Sequence, residues 1–159
     1  MIVIREIQAT DNRELANLVR SVFEELQLPL THSVYDDPQT NRLYEVFRTR
    51  KSGYFVAEED GVLLGGCGYY PTEGLPDGCA ELVKYYFKPM ARGKGLGSIL
   101  LKKVIDKAKT EGYTHLYIES FPQCGNAVAI YEKYGFTHLS TRLGNSGHTA
   151  TTIHMIKEL

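Results

Sequence analysis

The spacing of apolar residues changes period several times along the chain, and each change marks an element. Ile2, Ile4 and Ile7, with Val3 among them and Arg5 and Glu6 beside them, predict a first strand with a partly solvated face. Leu15, Leu18, Val19, Val22, Phe23 and Leu26 then recur at intervals of three and four, the pattern of a helix with one buried face. Thr10, Asp11 and Asn12 precede it as N-cap candidates, with Glu14 at capping-box spacing from Asp11, and Pro29 stops it. The polar stretch 31–41 contains Pro38, and a second short helix carrying Leu43, Val46 and Phe47 follows. Tyr54 to Ala57, the Asp60-Gly61 turn and Val62 to Tyr70 read as a hairpin. Its second strand holds Gly65, Gly66, Cys67 and Gly68, a sign of close backbone approach.

Two prolines and two glycines make 71–78 a loop. After it come a strand over 79–87, a glycine-rich turn over 92–97 and a helix to about residue 111. A strand at 116–118 leads to a short helix over 127–134 with Gly135 at its C′ position, then to strands over 136–141 and 150–157. The order β-α-α-β-β-β-α-β-α-β-β predicts a mixed α/β sheet with hairpins rather than a strictly alternating parallel fold.

The length of 159 residues fits one domain over 1–159, with no linker or repeat inside it. A net charge of −1 argues against a protein held mainly by nucleic-acid phosphates or anionic lipid. The lysines at 102, 103, 107 and 109 do not change that. Ile99, Leu100, Val104, Ile105 and Ala108 interleave with them and make the run the solvated side of one helix. Cys67, Cys79 and Cys124 are odd in number and fit neither a CxxC pair nor a zinc pattern, so no metal is expected. The start Met1-Ile2-Val3-Ile4-Arg5-Glu6 lacks the basic-then-apolar plan of a signal peptide, and no apolar run approaches the ~20 residues that span a bilayer. These features predict a soluble, cytoplasmic protein.

The segment carrying most chemistry is Arg92-Gly93-Lys94-Gly95-Leu96-Gly97-Ser98, between a strand and a helix. Glycines let consecutive N–H groups turn inward, and the helix start adds unsatisfied N–H groups and the positive end of its dipole. Arg92, Lys94 and Ser98 add charge and a hydroxyl. A pyrophosphate suits such a turn. The spacing is neither GxGxxG nor a P-loop.

The turn resembles Arg/Gln-x-x-Gly-x-Gly/Ala, the acyl-CoA signature of the GNAT superfamily of N-acetyltransferases. Two further blocks agree with the resemblance. Glu81 to Pro89 is similar to the family's fourth strand, and Tyr131-Glu132-Lys133-Tyr134-Gly135-Phe136 to its Tyr-Glu-Lys-x-Gly-Phe segment. The resemblance implies a mostly antiparallel sheet of about seven strands with helices on both faces, and a single GNAT-like domain. It implies acetyl-CoA as cosubstrate, held by the backbone of Tyr85, Tyr86 and Phe87 and by the turn from Arg92 through Gly93, Lys94, Gly95, Leu96 and Gly97 to Ser98. The N–H of Phe87 would polarise the thioester carbonyl. Tyr131 would protonate the departing sulfur, and Glu81 would take the amine's proton, directly or through water, with His148 a second candidate.

The sequence departs from the family at Cys124, where an asparagine often contacts pantetheine; Asn126 lies two residues away. No base stands near Cys124 in sequence, which favours direct attack over a covalent acyl-cysteine. The implied function is acetyl transfer to a primary amine of a small molecule or peptide. A noncatalytic acyl-CoA-binding or sensing domain is the alternative. The loops 28–41, 71–78 and 144–149 are expected to surround the acceptor, and the family admits a homodimer.

Overall fold

Alternation along β2 (Gly53–Glu59) sends Tyr54 and Val56 to one side and Phe55 and Ala57 to the other, and all four are buried. A strand buried on both sides requires cover on both faces of its sheet. The computed structural model, which describes residues 1–159, supplies it. On one face α3 (Leu96–Thr110) and α4 (Gly125–Lys133) bring Leu100, Leu101, Val104 and Val128 against Phe55 and Ala57. On the other, α1 (Asn12–Glu25) and α2 (Leu43–Val46) bring Leu15, Leu18, Val22 and Leu43 against Tyr54 and Val56. Each such leucine stabilises the fold by roughly 1.5–3 kcal/mol relative to leaving it in water.

The sheet has seven strands in the order β1-β2-β3-β4-β5-β7-β6. These are β1 (Ile2–Glu6), β2, β3 (Val62–Tyr70), β4 (Cys79–Phe87), β5 (His115–Ser120), β6 (Thr137–His138) and β7 (Ile153–Glu158). Every neighbouring pair is antiparallel except β4 and β5. The expected element order, the mixed mostly antiparallel sheet and the helices on both faces are all present.

Three local expectations change. Asp11 does not cap α1. Its carboxylate receives the Arg5 guanidinium at 2.8 and 2.9 Å and the Gln8 N–H at 2.7 Å, because an ion pair with β1 uses both of its oxygens. The strand expected over 136–141 shrinks to Thr137–His138, and the one over 150–157 begins at Ile153. Between them the chain is drawn into a loop by Arg142, whose guanidinium donates to the carbonyls of His148, Thr149 and Thr151.

Candidate active site

The parallel pair β4–β5 is short: register runs only from Cys79↔His115 to Glu81↔Tyr117, and the strands then diverge. A β-bulge accounts for the divergence. On the β3 side Gly66 faces Tyr86 and Gly68 faces Val83, so Lys84 and Tyr85 together oppose Cys67. Lys84 sits at φ +55°, a left-handed conformation that costs a non-glycine residue about 1 kcal/mol. The Tyr54 hydroxyl holds it there, donating to the Lys84 carbonyl at 2.8 Å. A bulge bends its strand, and here it swings the second half of β4 away from β5.

The open edge exposes backbone. The Lys88 N–H donates to the Leu64 carbonyl at 2.9 Å, and Phe87 faces Gly65 one step earlier. Successive residues of a strand point their N–H groups to opposite edges, so the Phe87 N–H points into the gap. Its carbonyl does the same, accepting from Arg92 at 3.0 Å.

At the end of this edge lies the glycine turn. Gly93 and Gly95 have φ of +78° and +76°, and Gly95 is the N-cap of α3. The N–H groups of Gly93, Lys94, Gly95, Leu96, Gly97 and Ser98 find no acceptor in the protein. Free N–H groups in succession at a helix start are the backbone geometry that receives anions. Side chains in the segment divide differently. Leu96 is buried in the core, which leaves its backbone N–H as its one available polar donor. Lys94 is half-exposed, 4.0 Å from Glu59. The Arg92 guanidinium is committed to Glu25 at 2.6 and 2.9 Å, which ties the turn to α1. Gly97 has a steric reason of its own: a Cβ there would run into the Tyr85 hydroxyl.

The gap between β4 and β5 is a cleft of about 650 Å³, counting the part open to solvent, and Glu81, Tyr85, Tyr86, Cys124 and Tyr131 line it. The structure therefore brings the two expected proton-handling groups, Glu81 and Tyr131, to one cavity. Tyr131 is 4% exposed, packed edge-on against Tyr85 at 5.4 Å. Its hydroxyl makes no hydrogen bond within the protein, yet it is not among the sealed, unpartnered polar atoms; the one such atom is His154 Nε2. Burial pushes the Tyr131 phenol well above its ordinary range, so it holds its proton at neutral pH. Burial also pushes the Cys124 thiol up, which leaves it a poor nucleophile.

Glu81 is 6% exposed and accepts the Thr72 hydroxyl at 2.6 Å. Burial, helped by the nearby Glu119 charge and opposed by the Thr72 bond, raises its carboxyl to about 7. Glu81 also lines a second cavity beside the first, to which the three loops 28–41, 71–78 and 144–149 each contribute, together with Leu43, Val46 and Phe47. His148 closes that side: its Nε2 lies 2.8 Å from Asp37 Oδ2. Burial and the Lys84 charge hold His148 below its ordinary range in spite of Asp37.

Sequence reasoning missed two residues here. The Glu119 side chain is 3% exposed and holds Ser146 at 2.5 Å, Tyr117 at 2.8 Å and Arg142 at 3.5 Å. Lys84 lines both cavities. The signal for both is the same: a charged residue inside a strand with neighbours on either side.

Comparison with known proteins agrees with this geometry. Residues 19–136 match the family model described as the acetyltransferase (GNAT) family. The uncharacterized N-acetyltransferase YjgM of Escherichia coli (strain K12) is 34% identical over 158 residues, covering 99% of this chain and 95% of that protein. A GNAT-family acetyltransferase from Staphylococcus aureus Mu50 superposes with a TM-score of 0.84 at 17% identity, over 99% of both chains. The yncA protein of Salmonella typhimurium, solved with its cofactor acetyl-CoA, superposes with a TM-score of 0.78 at 20% identity, over 99% of this chain and 94% of that one.

Proposed function

The chain belongs to the GNAT family of N-acetyltransferases, and from that premise we propose that it transfers the acetyl group of acetyl-CoA to a primary amine of a small molecule or peptide, by direct attack in a ternary complex. The observation that carries the reading is the open edge of β4, which ends in the unpaired N–H row from Gly93 to Ser98. An open strand edge that ends in free N–H groups suits an extended thiol arm terminating in a pyrophosphate. The arm takes the place of a strand along Tyr85, Tyr86 and Phe87, and the pyrophosphate takes the cradle, with Lys94 beside it.

The chemistry follows from what faces the gap. An amine attacks only as the free base, and Glu81, with a carboxyl near 7, accepts its proton directly or through one water at neutral pH. As the carbonyl carbon is attacked, negative charge grows on its oxygen, and the Phe87 N–H is a fixed donor for it. The C–S bond then breaks and the sulfur leaves with its electron pair. Tyr131 supplies the proton. A phenol raised by burial is a weak acid, but the same apolar surroundings raise the basicity of the departing thiolate, so the two remain matched. Arg92 acts at one remove, holding the turn against Glu25 and the end of β4.

A sensing domain would have no use for a buried carboxyl near 7 lining the same cleft as an unpartnered phenol. Calorimetry with acetyl-CoA, followed by a thiol-release assay across primary amines, tests the reading. Binding with acceptor-dependent thiol release is the expected result. Tight binding with no turnover on any amine would overturn the catalytic part, and no binding at millimolar acetyl-CoA would overturn the whole.

A further inference from the structure

Around the two cavities, nearly every charged group is already answered by the protein. Asp37 has His148 at 2.8 Å and the Gln39 N–H at 2.9 Å. Glu119 has Arg142, Tyr117 and Ser146, and Arg142 in turn holds three backbone carbonyls. Glu81 has the Thr72 hydroxyl and a carboxyl balanced near neutrality. Glu73 and Lys84 are the exceptions, and Glu73 is exposed to solvent while Lys84 is half-buried. Lys84 makes no ion pair and no side-chain hydrogen bond, although Glu81, Asp37 and Glu119 all lie near enough to act on its charge. Its nitrogen is not sealed in the core, since His154 alone carries a fully enclosed polar atom without a partner. It opens instead onto the two cavities that Glu81 joins.

A half-buried cation without a partner destabilises the fold, and Lys84 adds a left-handed backbone that glycine or asparagine would adopt more readily. Two costs at one residue, in a cavity, point to a ligand group that offsets them.

Resting on the acetyl-transfer reading above, we infer that Lys84 anchors an anionic group of the acceptor, so that the amine acetylated here belongs to a molecule also bearing a carboxylate, as a free amino acid does. The acceptor then lies across Glu81, with its carboxylate on Lys84 and its amine turned toward the cleft. Exposed Glu73 at the rim of the same cavity attracts the ammonium end first. Its proton passes to Glu81 once the amine is inside.

The test pairs each free amino acid with its carboxamide and its decarboxylated amine, in the thiol-release assay and in calorimetry on the CoA-bound protein. Turnover and binding should favour the carboxylate-bearing member of at least one set by about tenfold or more, the scale of a charge-assisted contact. Lys84→Asn suits the left-handed backbone and removes the charge. It should raise KM for that acceptor about tenfold, leave KM for its carboxamide unchanged, and keep acetyl-CoA affinity. Lys84→Arg should restore most of the loss. A lysine that merely tuned Glu81 would instead shift the pH profile for both acceptors alike, and that result would overturn the assignment. So would equal turnover of carboxylates and carboxamides, or neither binding nor turnover of any carboxylate-bearing amine. Failure of acetyl-CoA to bind marks the transfer reading as the one at fault. Acetylation that favours amines without a carboxylate, alongside normal acetyl-CoA binding, marks the Lys84 assignment as the one at fault.

Discussion

The two ends of the cleft are made of different parts. At the α3 end the groups offered are backbone N–H, from Gly93 to Ser98, contributed by one continuous turn. At the Glu81 end they are side chains gathered from β4, β5 and the 31–41, 71–78 and 144–149 segments, and most are bonded to one another across large sequence separations. Asp37 and His148 are 111 positions apart. Backbone donors are the same whatever the side chains, so the first end can take an invariant ligand under wide sequence variation. The second end depends on every side chain in it. It is the end that can differ between relatives sharing one fold at 17–20% identity.

The largest effects should come from the side-chain end. Glu81→Gln should lower kcat by roughly 10²–10⁴-fold, the scale of a positioned proton acceptor, while acetyl-CoA affinity measured by calorimetry stays unchanged. In the parent, kcat/KM should fall as pH drops below about 7, where Glu81 gains its proton, and the variant should lack that limb. Stability should move the other way. Between its ordinary value of 4.5 and the folded value of about 7, the folded protein holds a proton that the unfolded chain releases. Stability therefore declines as pH rises across that window, by roughly 3 kcal/mol when complete. Glu81→Gln removes the penalty, so its Tm should exceed the parent's at pH 8 and match it near pH 4. A variant that loses activity and also melts earlier at pH 8 would mark Glu81 as structural.

Tyr131→Phe carries the next effect. Its hydroxyl has no partner within the protein, so removing it forfeits no internal hydrogen bond, and stability should change by less than about 1 kcal/mol. Turnover should fall by roughly 10²–10⁴-fold with acetyl-CoA affinity nearly constant. If kcat stays within about threefold of the parent while chemistry limits the rate, ~0.65 kcal/mol, Tyr131 is not the acid.

The same contrast sets what could be read from the sequence. The turn was legible because glycines at 93, 95 and 97 before a helix leave few backbone options, and the resemblance rests on that stretch, on Glu81 to Pro89 and on Tyr131 to Phe136. The element order was legible too, since each strand and helix carries its own period. Long-range pairings were not. Asp11 looked like a helix cap because local spacing says nothing of Arg5 reaching back from β1. The final strands were drawn too long because nothing in 139–152 announces that Arg142 will gather three carbonyls. Lys84 looked like one more strand residue, since a bulge is a property of two strands.

A milder break of the side-chain end leaves both proton-handling groups in place. Asp37→Asn weakens the His148 bond in the wall of the proposed acceptor cavity. Acceptor KM should rise about fivefold, the equivalent of one hydrogen bond near 1 kcal/mol, with acetyl-CoA affinity untouched. An equal loss of acetyl-CoA affinity would show that the two ends are not independent.

The smallest effect tests the backbone end, and it needs a pair of substitutions because Gly97 has two reasons to be glycine. A Cβ at 97 would meet the Tyr85 hydroxyl, while the ring carbon behind it stands 3.0 Å away. Gly97→Ala should therefore cost roughly 1–3 kcal/mol by overpacking. With Tyr85→Phe in the same chain the hydroxyl is gone, and that cost should fall below about 1 kcal/mol. Affinity for acetyl-CoA separates the two reasons. If the N–H row from Gly93 to Ser98 cradles the pyrophosphate, the methyl stands at the edge of the phosphate site in both backgrounds. Affinity should then drop about threefold in each, ~0.65 kcal/mol. If Gly97 is glycine only to clear Tyr85, the loss should vanish in the Tyr85→Phe background as the packing recovers. Recovery of stability without recovery of affinity is the outcome that places a ligand at this turn.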